Sequence, residues 1–150
     1  MKKTWKEKLY GSKDLPRIVD VPEKMSKRLG EGKMVIPSPL EVKEIMDSVP
    51  EGKIITINVI REVLAKRYGV ETACPITTGI FAWIVANAAE EMGEKTPYWR
   101  TLKGKGVLNE KYPGGVERQR ERLEREGHKI LKKGKKFVVE NYEEYLYSSD

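Results

Sequence analysis

Cysteine and histidine each occur once in this 150-residue chain, as Cys74 and His128. A single thiol excludes an internal disulfide framework and a multi-cysteine zinc site. A single imidazole nearly excludes a histidine-rich metal centre or a histidine-based triad, so no metal and no cofactor are expected. Long hydrophobic runs are missing too, and none approaches the roughly 20 residues that span a bilayer. The opening MKKTWKEKLYGSKDLPR has lysines without an apolar stretch behind them. Neither a secretory signal nor a membrane partner is therefore expected, and the reducing cytoplasm is the expected location. Internal repeats and low-complexity tracts are absent. What remains is about the length of one ordinary domain, with 39% hydrophobic residues to build a core.

The net charge of +6 is unevenly placed. Residues 95–136 hold 14 Lys+Arg against 5 Asp+Glu, and the rest of the chain is net acidic. One contiguous basic stretch points to a polyanion-facing surface. The same stretch, RQRERLERE, also suits a solvated helix with pairs such as Arg118 with Glu121 and Arg122 with Glu126. A chain that is 35% charged fits the ion-pair-rich surfaces of thermophilic proteins as well.

Residues 1–38 show few periodic apolar positions and read as an extended N-terminal arm with one short helix at 22–29. Ser38-Pro39 reads as a helix cap followed by proline at the first helical position, with Leu40, Val42, Ile45, Met46 and Val49 on the apolar side. KIITI is β-prone, and 58–68 is an amphipathic helix closed by Gly69. After a loop holding Cys74-Pro75, residues 76–92 form a second helix with Thr77 or Thr78 as its cap and Gly93 at its close. The two helices make a helix-turn-helix candidate, although the connecting loop is long. Along the second helix, Gly79, Ala82, Ala86 and Ala89 form a stripe of small residues that permits close approach, by another helix or by a ligand.

Residues 98–108 read as a hairpin with Lys103 and Lys105 at its tip, in the place of a wing. Residues 116–126 form a charged helix with Val116, Gln119 and Leu123 on one side. Residues 128–139 make a second hairpin turning at Gly134-Lys135, and the tail NYEEYLYSSD is a short helix packing back. The expected fold is mainly α with small β hairpins: a winged helix-turn-helix domain over 39–150, preceded by the arm.

The ordered pieces VPEGKIITI, a helix, a small-residue helix and TPYWRTLKGKGVLNEKYPGGVERQRERLEREGHKI resemble the DNA-binding domain of the O6-alkylguanine-DNA alkyltransferase family. The resemblance covers roughly residues 39–131. It implies a winged helix-turn-helix entering the minor groove of double-stranded DNA, with a pocket for a flipped alkylated guanine. On that resemblance the DNA-facing residues are Thr56, Thr77, Thr78, Gly79, Ala82, Arg100, Lys103 and Lys105. The base pocket is formed by Tyr98, Tyr112, Pro113 and Gly114.

The departures are chemical. Tyr98 stands where the family has its acceptor cysteine and Trp99 where it has the histidine, while Pro97 and Arg100 are kept. A phenol beside an indole cannot act as a histidine-activated thiolate, so no catalytic residue is expected. Cys74 precedes the small-residue helix and reads as an inert small hydrophobe. Glu126 matches the glutamate that completes the family's hydrogen-bonded relay. The alkyltransferase-like subgroup also lacks the cysteine and binds alkylated guanine without repairing it. No Lys or Arg lies between Arg67 and Lys95, where the family has the arginine that fills the gap left by a flipped nucleotide. Ile57 replaces a tyrosine that helps push the nucleotide out. Strand alternation assigns Trp99 to the core and leaves Tyr98 facing the pocket, either stacked on a base or plugging the site. Two functions follow: a non-enzymatic DNA-binding protein of the alkyltransferase-like kind, or a winged-helix module for a protein or RNA partner.

Overall fold

A computed structural model describes residues 4–93 and 95–148. Ser149 and Asp150, the end of the acidic tail, lie outside the described residues. The elements, in chain order, are α1 (Trp5–Tyr10), β1 (Arg17–Asp20), α2 (Glu23–Leu29), β2 (Lys33–Ile36), α3 (Pro39–Asp47), β3 (Ile55–Thr56) and α4 (Ile57–Tyr68). They continue with β4 (Thr72–Ala73), α5 (Pro75–Met92), β5 (Thr101–Leu102), α6 (Gly115–Arg125), β6 (Ile130–Lys133) and β7 (Lys136–Val139).

Local chemistry explains most helix limits. Ser38 caps α3 by accepting from the Glu41 N–H at 3.2 Å, while the Glu41 carboxylate accepts from the Ser38 N–H at 3.2 Å. Pro39 supplies a pre-set φ at the first helical position. Val42, Ile45, Met46 and Val49 are buried as expected, whereas Leu40 is exposed. Thr56 caps α4 and Gly69 closes it with φ +64°. α5 starts earlier than the threonines suggest, because Pro75 takes the first helical position and Cys74 the cap.

α5 is the central helix. α1, α3 and α4 all pack on it, and Phe81, Ala82, Ile84, Val85, Ala86, Ala88 and Ala89 are buried there. The described part of 1–38 departs from an extended arm. Leu9 of α1 belongs to this core, Trp5 meets Trp83 edge-on at 4.7 Å, and β1 pairs antiparallel with β2, which pairs in parallel with β4. Only the helix at 23–29 matches the expectation. A second core joins Ile54, Leu102, Leu108, Leu123, Ile130 and Val139, and Trp99 packs against both cores.

The expected hairpin at 98–108 does not form. Tyr98–Arg100 is a 3-10 turn, β5 pairs in parallel with β3 (Ile55 opposite Thr101), and Gly104–Gly106 is a further turn. The hairpin at 130–139 does form, with Lys133 opposite Lys136 and Gly134 at φ +63°. The tail folds back through a short 3-10 turn at Tyr142–Tyr145, and the Ile54 N–H donates to the Tyr145 carbonyl at 2.9 Å.

His128 is buried under this tail, its ring edge-on to Tyr145 at 4.9 Å. Neither ring nitrogen has a hydrogen-bond partner among the described residues. Burial pushes the imidazole below its ordinary value of 6.5, against a smaller opposing pull from Glu126. The unfolded chain therefore binds a proton that the folded chain refuses, so the stability is complete above about pH 6.5 and falls as the pH drops below it. With one histidine in the chain, His128→Phe is expected to flatten the melting temperature between about pH 7.5 and 5.5. An unchanged slope in that variant would refute the assignment.

Candidate nucleic-acid interface

The 3-10 turn at 98–100 sets the geometry of the whole region. Its side chains splay around a tight helix and do not alternate as in a strand, so both aromatics pack inward: Trp99 meets both cores, and Tyr98 borders a cavity while being the more buried of the two. Tyr98 is the buried one, 3% exposed, and Trp99 is half-buried. The Tyr98 hydroxyl donates to Glu90 Oε1 at 2.5 Å and accepts from Arg122 Nη1 at 3.0 Å. Burial, and then the bond to Glu90, raise the Tyr98 pKa, while the same bond and the arginines lower that of Glu90. Trp99 lies edge-on to Tyr98 at 5.6 Å and carries the Arg122 guanidinium over its ring at 4.9 Å.

Arg100 is committed internally. Its guanidinium binds Glu126 through Nη2 at 2.6 Å and Nε at 2.9 Å, and Nη1 donates to the Val49 carbonyl at 2.7 Å. Glu126 also accepts from the Trp99 indole at 3.2 Å. Glu126 thus orients the two residues that follow Tyr98, and the Arg100 guanidinium is held by the Glu126 carboxylate and the Val49 carbonyl.

Tyr112 meets Tyr98 edge-on at 5.5 Å and is buried, which raises its pKa. Pro113 and Gly114 lie nearer the surface. A cavity of about 460 Å³ borders Tyr98 and Trp99, together with Thr96, Glu90, Arg122 and Glu126. Tyr112, Pro113 and Gly114 do not line it. The cavity sits at the C-terminal end of α5 beside Ala89 and Gly93. Gly79 is roughly 15 Å away from Ala89 along the helix.

The threonines are largely used up by the fold. Thr56 is buried and accepts from the Val59 N–H at 3.3 Å. Thr78 is buried and donates to the Cys74 carbonyl at 2.6 Å. Thr77 is half-buried, and its hydroxyl has no partner among the described residues. Ala82, Ala86 and Ala89 are core, so most of the small-residue stripe serves helix packing.

Gly79 differs: a Cβ there would meet nothing within 4 Å. It lies on an open face of α5 with Ile76, 58% exposed, and Ile80, 45% exposed. Ile57, Trp83, Lys103 and Lys111 border the same groove. Lys103 pairs with Glu110 at 3.2 Å, and Lys105 is exposed in a left-handed turn at φ +62°. Cys74 is buried at the start of α5.

Nothing local in the sequence marks Glu90 and Arg122, which hold Tyr98 from other helices. The lysines of the second hairpin do carry a signal, since 129–136 holds five lysines and no acidic residue, but the family resemblance draws attention to the turn at 103–105 instead. On α6, Arg118 reaches Glu90 at 3.4 Å and not the expected Glu121, which pairs with Arg125.

No protein-family model and no curated protein matches the chain. Among solved structures it aligns with S. pombe Atl1 in complex with damaged DNA containing O6-carboxymethylguanine, with TM-score 0.52 and 23% identity over 73% of this chain and 94% of that one. It aligns also with S. pombe ATL in complex with DNA, with TM-score 0.50 and 20% identity over the same shares. These likenesses show the fold, mainly α with small β hairpins.

Proposed function

We propose that this chain is a non-enzymatic protein of the alkyltransferase-like kind that binds double-stranded DNA. The fold carries the proposal, since both solved neighbours are complexes with DNA. The open face of α5 supports it: Gly79 leaves room for close approach, Ile76 and Ile80 can act as apolar wedges in a minor groove, and Lys103 and Lys111 stand at the rim. Alkyl transfer is not part of the proposed function, because Tyr98 replaces the acceptor and Cys74 is buried.

Electrophoretic titration with plain and O6-methylguanine duplexes tests this. Both are expected to shift, with affinity falling steeply as salt rises. Tyr98 is 3% exposed and its hydroxyl is tied to Glu90 and Arg122, so the two duplexes are expected to bind alike. A preference for the lesion would instead support damage sensing through an opened pocket. The apolar character of the α5 face favours a second function, a winged-helix module for a protein partner, and absence of any shift would support it.

A further inference from the structure

The β6–β7 hairpin concentrates cationic charge on a rigid support. Its root is in the core through Ile130, Val138 and Val139, and its outer end carries Lys132 and Lys133 of β6, Lys135 of the turn and Lys136 of β7, all exposed. None of the four has an ion-pair partner among the described residues. Lys133 and Lys136 stand directly opposite each other, an arrangement that costs stability in a two-stranded ribbon. The Phe137 ring has Lys132 over it at 6.0 Å and, from α6, Arg120 at 5.7 Å, which is itself paired with Glu124 at 3.4 Å. Lys105 borders one groove with Leu131 and Lys133, and Lys103, two residues earlier, borders the groove beside Ile76 and Ile80. The turn at 103–106 therefore links the hairpin to the open face of α5. Glu140, Glu143 and Glu144 border the Lys105 groove as well, which leaves the hairpin tip as the cationic end.

We propose that the β6–β7 hairpin is a second contact arm that binds the sugar–phosphate backbone of double-stranded DNA. The proposal rests on the duplex binding put forward above. Each phosphate contact contributes about 0.9 to the slope of log K against log salt. The variant K132Q/K133Q/K135Q/K136Q is expected to bind duplex more than about tenfold more weakly near 0.1 M salt, with a slope shallower by about 2–4. Lys136→Glu, which places opposite charges across the ribbon, is expected to raise the melting temperature while weakening duplex binding. That combination separates a contact role from a loss of folding. If the parent binds duplex and the quadruple variant keeps its affinity and slope, the hairpin proposal is overturned while DNA binding stands. If the parent binds no duplex at low salt, both fall. Lysine-dependent binding to phosphatidylserine vesicles without duplex binding would also overturn it.

Discussion

Glu126→Gln is expected to destabilise the protein by about 3–5 kcal/mol, the usual cost of removing one partner from a buried ion pair. The Arg100 and Glu126 side chains are only 13% and 7% exposed, and a neutral amide leaves the guanidinium without its counter-charge. For a chain of this length the loss corresponds to a fall in melting temperature of roughly 6–20 °C. Because total stability is typically about 5–15 kcal/mol, the variant is expected to be marginal at about 37 °C. The double variant Arg100→Met with Glu126→Gln should recover much of the loss, since no uncompensated charge remains. Urea melts of the two variants and the parent provide the test. A loss below about 1 kcal/mol for the single variant would mean that the pair is solvated and that Arg100 is free to meet a phosphate.

The second large effect separates the two halves of the small-residue stripe. Ala82→Leu is expected to cost about 1–3 kcal/mol or more, because Ala82 is fully buried and the added atoms must displace packed neighbours. Gly79→Ala should instead stabilise by about 0.5–1 kcal/mol, since the position is helical and its Cβ would point into open space. Gly79→Leu should leave the fold intact and weaken duplex binding, if the α5 face enters the groove. Thermal melts paired with duplex titrations read both quantities. Equal destabilisation by Ala82→Leu and Gly79→Ala would contradict the placement of one position in the core and the other at the surface.

Helix ends are legible in the sequence because caps are local chemistry. Ser38-Pro39 at α3, Gly69 after α4 and Gly93 after α5 all act within one turn. The second hairpin is legible for the same reason, with Gly134 between two short β-prone runs. Tyr98 and Trp99, on which the proposed non-enzymatic role rests, are read directly from the sequence.

Which of those two aromatics is buried is not legible, because a 3-10 turn and a strand look alike over three residues. The parallel pairing of β3 with β5 sets Ile55 opposite Thr101, from distant parts of the chain, and has no local signature. The partners of Arg100 and Tyr98 are likewise remote, at Glu126 and at Glu90 with Arg122. Residues 4–38 carry too little periodicity to announce a core contact, yet Leu9 and Trp5 gain theirs once α5 offers a surface. Caps and turns depend on neighbours within a few residues, so the sequence carries them. Burial and charge pairing depend on what the rest of the chain brings alongside, and only the assembled fold supplies that.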